Sequence, residues 1–275
     1  AVDYLNAGTV EFLVDRDRIP DVVIAEVRRL GATGAVILGG EGAVGSRVQA
    51  QLTSMLGTGS VERIAGRNRY ATADLIAARV VSESGPAATG AVLVATGTGF
   101  ADALAAAPLA AAQGWPVLLA EPTHGLSASG AAIAAGAERA IVLGGQAAVP
   151  HETEEMLKAA LGSNSVIRIA GPNRYATAAA ICDYAVRFCG LKWDRVAVAS
   201  GVTYPDALAG GVLQGERQSV MLLTSPASLS GPTAAGLAVH RGEIAGLTFV
   251  GGDAAVGSAV RRAVLSAFDM SPSGD

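Results

Sequence analysis

The sequence predicts an α/β protein assembled from tandem repeats, and three observations carry that prediction. Short continuous apolar runs alternate with Ala-rich helical stretches, the pattern of small parallel sheets covered by helices. One long motif returns after slightly more than a hundred residues. Glycine pairs sit directly behind apolar runs, where tight strand-to-helix turns need them.

The repeat defines the units. Arg63-Ile64-Ala65-Gly66-Arg67-Asn68-Arg69-Tyr70-Ala71-Thr72-Ala73 recurs as Arg168-Ile169-Ala170-Gly171-Pro172-Asn173-Arg174-Tyr175-Ala176-Thr177-Ala178. A second motif follows in each copy, from Ala95 to Leu104 and from Ala199 to Leu208, with Phe100 and Tyr204, Asp102 and Asp206, and the leucines in register. A third occurs three times and closes each unit: Leu38-Gly39-Gly40, Leu143-Gly144-Gly145 and Val250-Gly251-Gly252, each running on to Ala-Val. Turn-rich clusters at 57–60 and 162–165 then divide the chain into a partial first repeat (1–58), a second repeat (59–162) and a third (163–275).

Within the second repeat, residues 91–95, 117–120 and 140–143 are the strands, each an uninterrupted apolar run of the kind buried on both faces. The helix over 103–112 offers mostly methyl groups for close packing, and Pro108 should kink or restart it. Residues 8–13 line up with 114–119, so the first repeat lacks its opening half. Asn68 and Asn173 precede the helical runs as N-caps.

Composition excludes several classes. The net charge of −4, from 20 Lys+Arg against 24 Asp+Glu, disfavours a nucleic-acid binder, so an anionic partner needs a local arginine cluster. Pro108, Gln113, Pro116 and Glu121 interrupt the most apolar stretch before it reaches a membrane-spanning length. Cys182 and Cys189, seven positions apart on one helical run, would lie about 10 Å apart, beyond disulfide reach. His124, His151 and His240 share no repeat position or metal-ligand spacing, and no nucleophile elbow stands at a strand end. An enzyme is therefore not expected, nor a cofactor or a metal. The opening residues show no secretion leader.

The ordered combination of the three motifs resembles the cell wall binding repeat 2 family of bacterial surface proteins. The resemblance covers nearly the whole chain, about two and a half repeats. It implies Toprim-like or Rossmann-like α/β modules packed with pseudo-threefold symmetry, secreted to the cell wall or surface. It further implies noncovalent anchoring through an anionic, teichoic-acid-like or other secondary wall polymer.

Arg63, Arg67 and Arg69, with Arg168 and Arg174, supply guanidinium forks suited to phosphate or carboxylate groups, and Tyr70 and Tyr175 supply faces for sugar rings. Two readings of these residues stand side by side. In one they touch polymer. In the other they form a structural network, with Asp102 and Asp206 pairing Arg69 and Arg174, the tyrosines packing inward, and Gly39, Gly40, Gly144, Gly145, Gly251 and Gly252 setting turns. The alternative function is a small-ligand or nucleotide-binding α/β enzyme using loops such as Thr96-Gly97-Thr98-Gly99. A further expectation is self-association through Ala-rich repeat faces.

Overall fold

The protein's structure, a computed structural model, describes residues 10–269. The chain opens with α1 (Asp21–Arg29), β1 (Ala35–Leu38), α2 (Ser46–Leu56), β2 (Val61–Ile64) and the long helix α3 (Arg69–Ser84). Next come β3 (Val92–Thr96), α4 (Ala101–Ala105), α5 (Ala107–Gln113), β4 (Val117–Ala120), α6 (Ala128–Ala135), β5 (Ala140–Leu143), α7 (His151–Leu161), β6 (Val166–Ile169) and α8 (Arg174–Cys189). The third set is β7 (Lys192–Ser200), α9 (Pro205–Glu216), β8 (Ser219–Thr224), α10 (Gly231–Val239), β9 (Thr248–Val250) and α11 (Ser258–Asp269).

The apolar runs form three small sheets in which every strand pair is parallel: β1-β2, β4-β3-β5-β6 and β8-β7-β9. Every residue of β3, β5 and β8 is buried, as strands covered on both faces require. Pro108 restarts its helix. α4 stops at Ala105, and α5 begins at Ala107 with the proline in its first turn, where the missing N–H costs no helical bond.

One alignment did not become structure. Residues 10–13 form no strand, although the sequence sets 8–13 against the region of β4, and residues 8 and 9 lie outside the described residues. β4 is held in its sheet by β3 alone, and the first repeat shows no counterpart of β3 among the described residues. Without that partner the segment has no ladder to join.

Sheet membership also crosses the sequence period. β6 lies beyond the turn cluster at 162–165, yet it pairs with β5 from Ala140↔Val166 to Leu143↔Ile169. Each Arg-Ile-Ala-Gly strand thus completes the sheet behind it, and the helix that follows packs on the elements ahead: α3 against β4 and α6, α8 against β8 and α10. Every crossover therefore straps two repeats together.

A second strap is built from small residues. α5 lies against α9, where Gly211 and Gly215 face Ala107 and Ala111 so closely that a Cβ on either glycine would overlap the facing alanine. The Ala-rich helix approaches another repeat as its composition predicts. Gly215→Leu is expected to destabilise the chain by about 2 kcal/mol through overpacking. Gly231→Ala, at a glycine with open space around it, should change little when both variants are unfolded in urea.

Candidate functional site

The repeated motif begins as a turn. The Gly66 and Gly171 amides each donate 3.0 Å to the hydroxyls of Thr72 and Thr177, and a Cβ on either glycine would overlap Ala71 or Ala176. The Asn68 side chain accepts from the Ala71 amide at 2.9 Å, and Asn173 accepts from Tyr175 and Ala176 at 3.1 and 3.0 Å. Both asparagines are N-caps, so α3 and α8 start at Arg69 and Arg174.

Arg63 and Arg168 reach from their edge strands onto the glycine turn of the neighbouring strand. Arg63 Nη1 donates to the carbonyls of Gly39 (2.6 Å) and Val44 (2.8 Å), and its Nε to Gln49 Oε1 (3.0 Å). Arg168 Nη1 donates to Gly144 O and its Nε to Glu154 Oε2, both at 2.8 Å. In both residues Nη2 is buried without a partner. Hydrogen bonds from Lys158 and Arg168 hold the Glu154 carboxyl below its ordinary pKa.

The turn that receives these arginines repeats three times. Gly39, Gly144 and Gly251 have φ of 113°, 91° and 101°, a region that L side chains rarely adopt. Carbonyls of the second glycines, Gly40, Gly145 and Gly252, accept from the alanine and valine amides that close each motif. Asp102 and Asp206 place a carboxylate oxygen where Gly144 and Gly251 would carry a Cβ.

Tyr70 and Tyr175 are half-buried and pack on Gly97 and Gly201, where any Cβ would meet their rings. Gly97 thus makes room for a tyrosine inside the loop suggested for nucleotide binding. That loop's Thr98 amide is held by Thr96 Oγ1 at 3.2 Å, and in the third repeat Ser200 Oγ accepts from the amides of Val202 and Thr203. Arg69 and Arg174 each spend one bond on this loop, from Nη1 to Gly97 O (2.7 Å) and to Gly201 O (2.6 Å). Both arginines remain exposed, as does Arg67.

The expected pairing of Arg69 with Asp102 and of Arg174 with Asp206 does not form; neither pair is a salt bridge among the described residues. The cation that acts on Asp102 is instead Arg174 of the following repeat. Burial raises the Asp102 carboxyl above its ordinary pKa, and the Arg174 charge acts against that rise. The Arg174 guanidinium lies 5.9 Å from the centroid of Phe100, which meets Tyr204 edge-on at 5.9 Å. Tyr204 is 53% exposed. Phe100 and Tyr204 share a register position, yet the fold makes them neighbours across a repeat junction.

The histidines stay apart from this junction. His124 is exposed in the turn after β4 and sits by Thr123 and Glu121, and His151 opens α7. His240, which follows α10, is half-buried; it stacks on the buried Trp193 with ring centroids 4.2 Å apart and bonds Glu243. Among the described residues no group of three His, Cys, Asp or Glu side chains is placed to hold a metal, and no helix is long and apolar enough to cross a membrane.

Residues 63–154 and 168–261 each match cell wall binding domain 2, abbreviated CWB2, and each match opens on the strand arginine that binds a glycine turn. The chain belongs to the CWB2 family. It is a cell wall binding module made of tandem α/β repeats. Among relatives, it is 34% identical over 215 residues to the N-acetylmuramoyl-L-alanine amidase LytC of Bacillus subtilis (strain 168), spanning 78% of this chain and 40% of that protein. It is 28% identical over 262 residues to the Amidase enhancer of the same organism, spanning 94% of this chain and 33% of that protein. Two solved structures from Clostridium difficile share the fold. Cwp8 matches with a TM-score of 0.80 at 24% identity, covering 94% of this chain and 43% of its own. Cwp6 matches with a TM-score of 0.79 at 21% identity, covering 97% and 40%.

Substitutions test this division of the CWB2 arginines and the environment of Asp102. Arg168→Ala should cost about 2 kcal/mol in denaturant unfolding, since it strips a partly buried carbonyl and carboxylate of a charged donor, whereas exposed Arg67→Ala should leave the midpoint unchanged. Arg174→Gln removes the cation opposing the burial effect, so the Asp102 pKa should rise further in a carboxyl NMR titration. Ionising Asp102 costs folded-state stability because its folded pKa is raised. Asp102→Asn should therefore abolish the stability gained by this group as pH falls through that pKa.

Proposed function

We propose that this CWB2 module holds its parent protein noncovalently on the outside of the cell by gripping an anionic secondary wall polymer at the junction of consecutive repeats. The observation that carries the reading is that Arg67, Arg69 and Arg174 are exposed while the fold uses at most one bond of Arg69 and Arg174, leaving donors of each fork for a ligand. Arg69 and Arg174 stand at the carboxyl ends of β3 and β7, where ligands of parallel sheets gather. Phe100 and exposed Tyr204 beside Arg174 add an aromatic surface for a sugar ring. Arg63, Arg168, Tyr70 and Tyr175 support the site from within, where their hydrogen bonds and packing already engage them.

With a net charge of −4 the global field gives no help, so affinity rests on this local cluster and on repetition. A polymer with regularly spaced charges engages more than one junction at once, which raises avidity about a hundredfold over a single weak site. The module contributes location and not chemistry in this reading.

Purified walls, intact or stripped of their anionic polymers, provide the test. Retention should vanish on stripping, fall as salt rises, and weaken about tenfold or more in the triple variant Arg67→Ala, Arg69→Gln, Arg174→Gln with the fold intact. Failure to bind intact walls would overturn the anchoring role, and full retention by the triple variant would remove the junction arginines from it.

A further inference from the structure

The glycine turns that close the repeats are arginine receptors, and the third repeat fills its own. In the first two repeats the arginine arrives on an added edge strand: Arg63 on β2 and Arg168 on β6. The helix residue facing it is Gln49 in α2 and Glu154 in α7, each five positions past the valine of the turn, and each accepts from the arginine's Nε. In the third repeat β9 pairs with β7 alone, and no strand lies on its other side among the described residues.

The corresponding position in α11, again five past the valine, is Arg261. Its Nη2 donates to Gly251 O at 2.6 Å and its Nε to Val256 O at 2.8 Å. These are the same two carbonyls of the turn that Arg63 takes at Gly39 and Val44. The position is an acceptor where an arginine comes from the next strand, and a donor where none does. A second replacement accompanies it. Arg63 and Arg168 stand in register with Ile37 and Val142, but the third repeat has Phe249 there, and the Arg261 guanidinium lies 5.2 Å from its ring centroid. Asp253 Oδ1 approaches Arg261 Nε at 3.5 Å.

We propose that Arg261 is an internal plug that occupies the third arginine receptor and closes the outer edge of β9 to an arginine-bearing parallel strand like Val166–Ile169. An unprotected edge beside an empty receptor would recruit such strands from other chains, and an exposed sheet edge needs a device against that. The plug works whether or not the junction arginines bind polymer.

The test titrates a synthetic peptide of residues 162–171 into the isotope-labelled full chain, following the amides of Thr248–Gly252. Arg261→Gln installs the residue that Gln49 provides in the first repeat. It is expected to bind the peptide at least about tenfold more tightly than the original chain, the worth of a charge-assisted hydrogen-bond pair. A peptide carrying Gln in place of Arg168 should lose that gain. Arg261→Lys, which keeps the cation but not the fork, guards against a variant that does not fold and should fall between the two. Equal binding by the original chain and Arg261→Gln, or binding by neither, overturns the plug.

Discussion

One contact organises this molecule: a guanidinium from an edge strand laid on the main-chain carbonyls of a glycine turn. The turn needs its first glycine because its φ of 91° to 113° is strained for any side chain, and because in two repeats a carboxylate fills the space of a Cβ. That geometry presents carbonyls that no strand or helix satisfies. An arginine satisfies them while spanning to a polar residue on the covering helix, and it does so from a strand that the next motif supplies. Buried acceptors left unpaired would be costly, so the sequence of one repeat is constrained by its neighbour.

The remaining features follow from that linkage. The edge strand must leave its sheet through a turn tight enough to start a helix at once, which Gly66 and Gly171 permit and Asn68 and Asn173 cap. The helix then lands on the next sheet, where its tyrosine needs the missing side chain of Gly97 or Gly201. The motif as a whole is a joint between units. Its inward arginines carry the fold, whereas Arg67, Arg69 and Arg174 remain exposed.

Much of this was legible in the sequence for physical reasons. Unbroken apolar runs marked the buried strands, Asn before a helical run marked the caps, and Pro108 marked the break between α4 and α5. The repeat itself disclosed the units. What stayed hidden depended on which copies become neighbours. Repeat membership matches Asp102 to Arg69, whereas in the fold the charge that acts on it is Arg174 of the next repeat. The segment at 10–13 matched a strand in sequence but had no partner to pair with. Pairing of Phe100 with Tyr204 likewise arises only across a junction. Arg261 carries a signal readable by comparing three positions, Gln49, Glu154 and Arg261, though its meaning needs the carbonyls it touches.

In the polymer binding proposed above, such coupling fixes the spacing of the junctions through shared strands and straps, which suits a ligand that repeats along its length. The central claim is that the repeats are joined through shared strands and crossover helices and do not open one at a time. Native-state hydrogen exchange under a denaturant series tests it most directly. The account predicts that β5, β6 and α8 converge on one opening free energy. It would be contradicted if α8 and β7 stayed protected while β5 and β6 opened together with β3 and β4.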